Sequence, residues 1–299
     1  MSEHPLLIHS LQEFSSLILP ALEAAEARTI LEIGSEAGDF TRELCLWAGE
    51  RGGTVTTVEP MPLESHRQLE RKVGLKLIEG KSPQVLDGLP PFDAYIIDGD
   101  HNYWCVSAEL RHAFAQQRSP LVIAHDVAWP CARRDQYYDP ADVPPAERHP
   151  FSYDGGVDPD HAGLIFNGGF RGADKFAYAC REGEPRSGVL TAVEDFIAIE
   201  RDVRFLRVPC IFGLGVLFRG SAPWAARIEE IVGPLHENEL LAALERNRIE
   251  LFLRFIDPHR FHSQQDATGA ALIAAQQREI DALQGELAQL RLTATRQET

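Results

Sequence analysis

The sequence has few of the features that mark secreted or membrane proteins. Only five cysteines occur in 299 residues, none of them in a C-x-x-C pair, so neither a disulfide framework nor a cysteine-ligated metal site is expected. No apolar run reaches the roughly 18 residues that a membrane-spanning helix needs. The opening MSEHPLLIHSLQEF lacks the basic start and long apolar stretch of a signal peptide. We therefore expect a cytoplasmic protein without membrane contacts.

Basic residues are also scarce. Lys and Arg number 29 against 45 Asp and Glu, which gives a formal net charge of −16, and no block rich in Lys or Arg occurs. Such a surface repels the phosphates of nucleic acids, so the expected partner is a small molecule. No G-x-S-x-G elbow or nucleophilic cysteine setting is present either.

Short β-branched runs alternate with amphipathic segments along the first 125 residues. This alternation predicts an α/β fold with a mostly parallel sheet and helices on both faces. The predicted strands are 29–33, 54–58, 75–78, 93–97 and 120–124, and the predicted helices are 6–26, 39–50, 64–73 and 103–117. Farther along, a helix at 189–201 precedes strands 203–208 and 213–218, which are expected to close the sheet in antiparallel fashion.

The segment 129–190 interrupts this alternation and is rich in Pro, Gly, Asp and Tyr. Loops of this length in a compact domain are usually lids or binding loops, and its aromatic residues argue against disorder. The predicted organisation is an N-terminal helix (1–27), a central domain (28–222) with 129–190 as a lid or substrate loop, a helical extension (223–262) and a C-terminal helix (263–299).

The C-terminal helix carries a short heptad pattern. Its apolar positions are Ile273, Ile280, Leu283, Leu287 and Leu290. The pattern lasts about three heptads, the lower limit for a coiled coil, and Gln276 and Gly285 weaken it. Two interpretations stay open: a short coiled coil that makes a homo-oligomer, or an amphipathic helix packed on its own domain.

Strand 29–33 runs into the sequence LEIGSEAGDF, where Gly34 and Gly38 bracket a strand-to-helix turn. A dinucleotide fingerprint would have glycine at position 36, but Glu36 stands there and would block and repel a pyrophosphate. A cofactor without phosphates, such as S-adenosylmethionine, fits this turn. Glu59, at the end of the second strand, is placed to accept hydrogen bonds from ribose hydroxyls.

With these residues the sequence resembles class I S-adenosylmethionine-dependent methyltransferases over about residues 28–220. The resemblance implies a Rossmann-like methyltransferase sheet with an antiparallel closing strand, to which a C-terminal helical arm is added. It also implies that Glu32 faces the amino end of the cofactor, that Glu59 holds the ribose and that Ser82 lies near the adenine. The full set of expected cofactor residues is Glu32, Gly34, Ser35, Gly38, Glu59, Ser82, Asp98 and Asp100.

Acids and histidines follow two further strands, in the sequences DGDHNYW and AHDVAWP. Because ligands bind at the carboxyl ends of strands in open α/β sheets, Asp98, His125 and Asp126 are candidate ligands of one divalent cation. Mg²⁺ or Mn²⁺ is the most expected cation, and an imidazole ligand is also compatible with Fe²⁺ or Zn²⁺. The pattern resembles metal-dependent O-methyltransferases of the catechol type and of natural-product sugars, although His125 stands where those relatives usually have a carboxylate. In the sugar type a histidine three residues after the first acid is the general base, which implies His101 here.

Three functions follow as hypotheses. The first is a metal-assisted O-methyltransferase acting on a hydroxyl of a sugar or other polyhydroxylated small molecule. The second is a metal-independent methyltransferase with His101 or His125 as sole base. Without a metal, Asp98 and Asp100 are interpreted as acids that face the cofactor, and His125 can also simply be packed in the crevice. The third is a non-catalytic component of a biosynthetic assembly. Arg133 and Arg134 are further candidates for gripping an anionic substrate group.

Overall fold

The computed structural model describes residues 7–256, except 116–118 and 167, together with residue 276. The chain divides into two compact units, Met1–Ile249 and Glu250–Thr299. The strands are β1 Thr29–Ile33, β2 Thr54–Glu59, β3 Lys76–Glu79, β4 Ala94–Ile97, β5 Leu121–His125, β6 Gln136–Tyr137, β7 Phe151–Ser152, β8 Gly155–Asp158, β9 His161–Phe166, β10 Ala177–Ala179, β11 Val203–Val208 and β12 Leu214–Arg219. The helices are α1 Ser15–Ala24, α2 Asp39–Glu50, α3 Glu64–Val73, α4 Tyr103–Ala115, α5 Val189–Ile199, α6 Ala225–Val232 and α7 Glu239–Ile256.

A seven-stranded sheet forms the centre of the first unit, in the order β3-β2-β1-β4-β5-β12-β11. β1 to β5 pair in parallel, and β12 is antiparallel to both of its neighbours. This confirms the predicted mostly parallel α/β sheet with one antiparallel strand. The antiparallel strand is not at the edge, however, because β11 lies outside it.

Both faces of the sheet are covered by helices. Successive strand residues point to opposite faces, so Ile30 contributes to a core with α1, α2 and α6, while the adjacent Leu31 contributes to a core with α4 and α5. Strands buried on both faces read as continuous apolar runs, as in β4 and β5, where every residue is buried. The predicted arrangement of helices on both faces is confirmed.

The N-terminal helix is shorter than the predicted 6–26. The side chain of Ser10 accepts a hydrogen bond from the backbone N–H of Gln12 and caps a 3₁₀ turn over Leu11–Phe14, after which α1 begins at Ser15. Serine favours this capping geometry over a position inside a helix. Residues 7–10 are therefore non-helical and free to line another part of the molecule.

The segment 129–190 contains short strands rather than one long loop. β6, β10 and β7 form a three-stranded sheet, and β8 pairs with β9. The two sheets, which we call the insert (residues 129–188), are held by buried side chains. Asp135 accepts hydrogen bonds from the N–H groups of Tyr103 and Gly188 and from the hydroxyl of Tyr137, so it joins the insert to the starts of α4 and α5.

The region predicted as helical from residue 223 is interrupted. A 3₁₀ turn over Gly233–Leu235 separates α6 from α7, because Pro234 has no N–H to continue an α-helix. The heptad residues from Ile273 to Leu290 lie outside the described residues. No helix in the described part of the chain is long and apolar enough to cross a membrane.

Candidate active site

The carboxyl ends of β1, β4 and β5 open onto a cavity of about 440 Å³, a size typical of small-molecule sites. The N-terminal segment and the insert supply its other walls. Among the residues predicted for the site, those that line the cavity are Glu32, Gly34, Ser35, Asp98, His101, His125 and Asp126. Within the described residues, the lining does not include Gly38, Glu59, Ser82 or Asp100.

The glycine turn is shaped by the approach of the strand beside it. Gly34 has a left-handed φ of +82°, and a Cβ there would overlap the carbonyl group of Asp98. Its N–H donates to the carbonyl of Val58 (3.0 Å). Gly38, at φ +84°, directly precedes α2 and lies beside the ring of His66. Glycine at position 34 therefore brings the end of β1 against the end of β4.

Glu32 is a buried carboxylate at the cavity wall. Its Oε2 accepts hydrogen bonds from Thr41 (2.8 Å) and Thr57 (2.6 Å). Burial raises the pKa of Glu32 to about 7, against the opposing effect of these two hydroxyls. A buried carboxyl group that faces a cavity gains most from a cationic partner, so Glu32 fits the amino group of S-adenosylmethionine.

Glu59 is hydrogen-bonded to the glycine turn and to the segment that follows β2. Its Oε2 accepts from the N–H (3.1 Å) and hydroxyl (3.2 Å) of Ser35, and its Oε1 accepts from the N–H of Met61 (3.0 Å). The Ser35 hydroxyl also contacts Nε2 of the buried His66 (3.0 Å). With both oxygens engaged in these contacts, Glu59 fixes the glycine turn, and the ribose role remains a prediction.

Ser82 and Asp100 also lie away from the cavity lining. The Ser82 hydroxyl donates to Glu109 (2.6 Å), a buried carboxyl group whose pKa burial raises to about 7. Asp100 accepts from the N–H of Tyr138 (3.1 Å), and burial raises its pKa to about 6. Glu109 therefore links α4 to the segment after β3, and Asp100 links the segment after β4 to the insert.

Two carboxylates and one imidazole meet at the ends of β4 and β5. One ligand atom from each of Asp98, His101 and Asp126 lies within 4.8 Å of the others. Nδ1 of His101 is 3.4 Å from Oδ2 of Asp126. Burial raises the pKa of Asp126, but the positive fields of His101 and His125 outweigh it and lower the pKa to about 2. Two oxygens and one nitrogen from these side chains fit a divalent cation such as Mn²⁺ or Fe²⁺.

His125 is not placed as a member of this three-residue group. Its Nε2 lies 2.9 Å from the carbonyl oxygen of Ile211, and its Nδ1 lies 3.0 Å from Asp98 and 3.2 Å from Asp126. Burial lowers the pKa of His125, but the two carboxylates raise it well above its usual value. The ring lies between the two acids. The group of three whose ligand atoms lie close together therefore includes His101 instead of His125, and the predicted role of His125 as a metal ligand stays a prediction.

The cavity wall includes the segment 129–190 that the sequence analysis assigned as a lid or substrate loop, together with two parts that it did not anticipate, the N-terminal segment and the β11–β12 turn. The N-terminal segment contributes His9, Ser10, Leu11, Gln12 and Glu13, and the insert and the β11–β12 turn contribute Tyr138, Phe170, Phe176 and Phe212. The aromatic content of the insert was a usable signal. The N-terminal segment had none, because it matched a helix and its cap at Ser10 was not recognised.

Part of the chain matches a known protein family. Residues 31–127 match the family model described as a methyltransferase domain. No curated protein matches the sequence. The matched segment runs from within β1 to just past β5 and includes Asp98, His101 and Asp126. About a third of the chain is therefore similar to this methyltransferase domain family, the same part that carries the resemblance to class I enzymes.

Several solved structures are similar to the chain. An O-methyltransferase from Bacillus cereus in complex with S-adenosylhomocysteine is 17% identical, with 72% of this chain and 84% of that chain covered and a TM-score of 0.42. An O-methyltransferase from Streptomyces achromogenes involved in tomaymycin synthesis, in complex with S-adenosylmethionine, is 18% identical (71% and 82% covered, TM-score 0.41). A methyltransferase from Podospora anserina bound to S-adenosylhomocysteine is 15% identical (73% and 83% covered, TM-score 0.43).

Proposed function

We propose that the protein is an S-adenosylmethionine-dependent O-methyltransferase that acts on a hydroxyl group of a small molecule. The observation that carries the proposal is the meeting of Asp98, His101 and Asp126 in a cavity that also reaches the glycine turn. A methyl donor at the turn and a hydroxyl at the three-residue group would share one enclosed space, which is the arrangement that direct transfer requires.

At the donor end, Glu32 would accept hydrogen bonds from the amino group of the methionine moiety. A bound ammonium would lower the pKa of Glu32 from about 7 and keep the carboxylate ionised. Gly34 and Ser35 would present backbone to the cofactor without side-chain bulk. Glu59 would act on this end indirectly, through its hydrogen bonds to Ser35.

At the acceptor end, Asp98, His101 and Asp126 would hold a divalent cation, with Mg²⁺, Mn²⁺, Fe²⁺ and Zn²⁺ as candidates. When bound, the cation would lower the pKa of the acceptor hydroxyl and fix its direction. Asp126 is suited to the task because it stays ionised at neutral pH, its pKa being about 2. His125 would orient both acids through its Nδ1.

A metal-independent mechanism is the second candidate, and a specific contact favours it. Nδ1 of His101 faces Asp126 at 3.4 Å, so the carboxylate can orient the ring and stabilise the imidazolium that forms on proton transfer. Nε2 of His101 would then take the proton of the acceptor hydroxyl. This is the general-base role assigned to His101 from the sequence.

The cavity wall supports an acceptor that is uncharged or cationic. Among the described residues no Lys or Arg lines it, whereas six carboxylate side chains do: Glu13, Glu32, Glu36, Asp39, Asp98 and Asp126. The rings of Tyr138, Phe170, Phe176 and Phe212 provide flat apolar faces that sugars and other hydroxylated ring compounds can stack against. A nucleic-acid acceptor is disfavoured by the same charges.

The sensitivity of methyl transfer to a metal chelator distinguishes the metal-dependent mechanism from the metal-independent one. If the cation is required, excess EDTA abolishes methyl transfer, Mn²⁺ restores it, and both Asp98→Asn and His101→Ala lose Mn²⁺ binding measured by calorimetry. Asp39→Asn, which removes a cavity carboxylate outside the group, retains Mn²⁺ binding as the control. If His101 is the base, activity survives EDTA while His101→Ala lowers kcat by about 10²–10⁴. Failure to bind S-adenosylhomocysteine would contradict both mechanisms.

A further inference from the structure

Helix α7 lies outside the segment that matches the methyltransferase domain, yet one of its acids contacts a cavity-wall residue. Glu245 is buried, with only 7% of its surface exposed. Its Oε1 accepts a hydrogen bond from the backbone N–H of Phe212 (3.0 Å), and both oxygens accept from Arg248 (2.6 and 2.7 Å). Phe212 lines the cavity, so a helix distant in sequence holds part of the wall.

The backbone that Glu245 holds is in an unfavourable conformation. Ile211 has φ +49° and Phe212 has φ +62°, and Gly213 follows at +90°. Left-handed backbone is rare for β-branched and bulky residues, and it persists only where the surroundings enforce it. The charge-assisted hydrogen bond from Phe212 to Glu245 is such an enforcing contact.

This turn reaches the three-residue group through one hydrogen bond. The carbonyl oxygen of Ile211 accepts from Nε2 of His125 (2.9 Å). With Nε2 committed to that carbonyl, Nδ1 faces Asp98 and Asp126 at 3.0 and 3.2 Å. The Ile211 carbonyl therefore decides which ring nitrogen faces the acids.

Arg248 extends the same network to the N-terminal segment. Its Nη1 donates to the carbonyl of Ile8 (2.8 Å), next to the cavity residue His9. Its guanidinium group lies over the ring of Phe212, 4.9 Å from the ring centroid. One ion pair on α7 thus contacts both the N-terminal wall and the β11–β12 turn.

We propose that Glu245 and Arg248 are positioning residues of the active site. They hold the Ile211–Phe212 backbone and the N-terminal segment, and through Ile211 they fix the orientation of His125 between Asp98 and Asp126. The effect on catalysis rests on the proposed function of the cavity, but the effect on His125 does not. The part of α7 that belongs to the first compact unit would then complete the site.

The test follows the imidazole N–H signals of His125 by NMR on protein labelled with ¹⁵N-histidine, with the signals assigned by His125→Gln. Glu245→Ala is expected to speed exchange of the Nε2 proton by about tenfold, as for a weakened buried hydrogen bond. Arg227→Met is the matched control, because Arg227 and Glu230 form an exposed i,i+3 pair on α6, and it should leave the His125 signals unchanged.

Conservative variants distinguish positioning from general destabilisation. Glu245→Gln keeps an acceptor for the Phe212 N–H and should largely restore the slow exchange seen in the wild type. If Glu245→Ala does not fold, Arg248→Lys is used in its place. Lysine cannot make the two parallel contacts to Glu245, so this variant should also speed exchange of the His125 Nε2 proton. Unchanged His125 signals in a folded Glu245→Ala or Arg248→Lys protein would overturn the proposal. Methyl transfer need not be measured, so failure of the proposed function is detected separately.

Discussion

Gly34 and Gly52 have similar backbone conformations but different surroundings. Their φ angles are +82° and +67°, and a Cβ at Gly34 would overlap Asp98, whereas no atom lies within 4 Å of a Cβ at Gly52. Substitutions at the two positions therefore distinguish two contributions to the free energy of unfolding. One is the cost of a side chain in left-handed backbone, and the other is the cost of a clash with the end of β4.

We expect Gly52→Ala to lower the free energy of unfolding by about 1–2 kcal/mol, the cost of placing a side chain in left-handed backbone. Gly34→Ala should cost this amount plus about 1–3 kcal/mol for overpacking against Asp98. It should also weaken binding of S-adenosylhomocysteine, because the Asp98 backbone must move. Chemical denaturation and calorimetry measure the two effects, and equal costs at both glycines would contradict the expectation.

The ion pair of His9 with Glu36 predicts a pH dependence at the cavity mouth. Nε2 of His9 is 3.7 Å from Oε1 of Glu36. Hydrogen bonding to Glu36 raises the pKa of His9 to about 8, although burial opposes the shift. A raised pKa means that the pair's contribution to stability is complete below about pH 6.5, the unperturbed value, and is lost as the pH rises through about 8.

An NMR titration should therefore give His9 a pKa of about 8, and Glu36→Gln should lower that pKa towards about 6.5. Glu13→Gln, which removes another carboxylate of the cavity wall, is the control and should leave the pKa of His9 nearly unchanged. A pKa for His9 that does not respond to Glu36→Gln would rule out the pair as its cause.

For individual residues, the sequence predicted which side chains lie together in the cavity but not all of their hydrogen-bond partners. Glu32, Asp98, His101, His125 and Asp126 line one cavity because each follows or ends a parallel strand, which is visible in the sequence. The partners of His125 and Glu59 were not visible. The Ile211 carbonyl that binds His125 is 86 residues away, and no local pattern encodes such a contact.

At the scale of the structural elements, the buried guanidinium group of Arg134 joins strands of the insert. Arg134 is fully buried and donates to the carbonyls of Ala179 (2.6 Å), Ala162 (2.7 Å) and Gly163 (3.2 Å). The adjacent Arg133 forms a partly exposed pair with Glu194. Both arginines were candidates for an anionic substrate group from the sequence, but neither is among the described residues that line the cavity.

We expect Arg134→Met to destabilise the protein by about 1–3 kcal/mol, the usual cost of leaving a buried polar group without its partner, because the carbonyl of the buried Ala179 loses the Arg134 donor. Arg133→Met should cost at most about 1 kcal/mol, as is usual for an exposed ion pair. Thermal unfolding of both variants checks the contrast. Similar shifts in Tm for the two neighbours would argue against the role of Arg134 in holding the insert.

Element boundaries were predictable where the apolar pattern was strong. The observed bounds of β1, α2 and α3 equal those predicted, since each has a clear period and a Gly beside one end. The strands of the insert were not predicted. β6 and β7 contain two residues each, which is too short for an alternating pattern to appear.

For the whole molecule, the predicted coiled coil remains to be tested, because it lies outside the described residues. Deleting residues 266–299 should reduce the number of subunits per particle while binding of S-adenosylhomocysteine stays intact. Light scattering on the full chain and the shortened chain measures the first, and calorimetry the second. The same number of subunits in both proteins would show that the heptad pattern does not drive assembly.

The N-terminal segment also has a practical consequence for how the protein is prepared. Because His9 to Glu13 line the cavity and Ile8 is bound by Arg248, an affinity tag fused to Met1 would be joined only a few residues from the cavity wall. Its linker could compete with ligands for the opening or pull Ile8 from its donor. Ligand screening should therefore use protein from which any such tag has been cleaved.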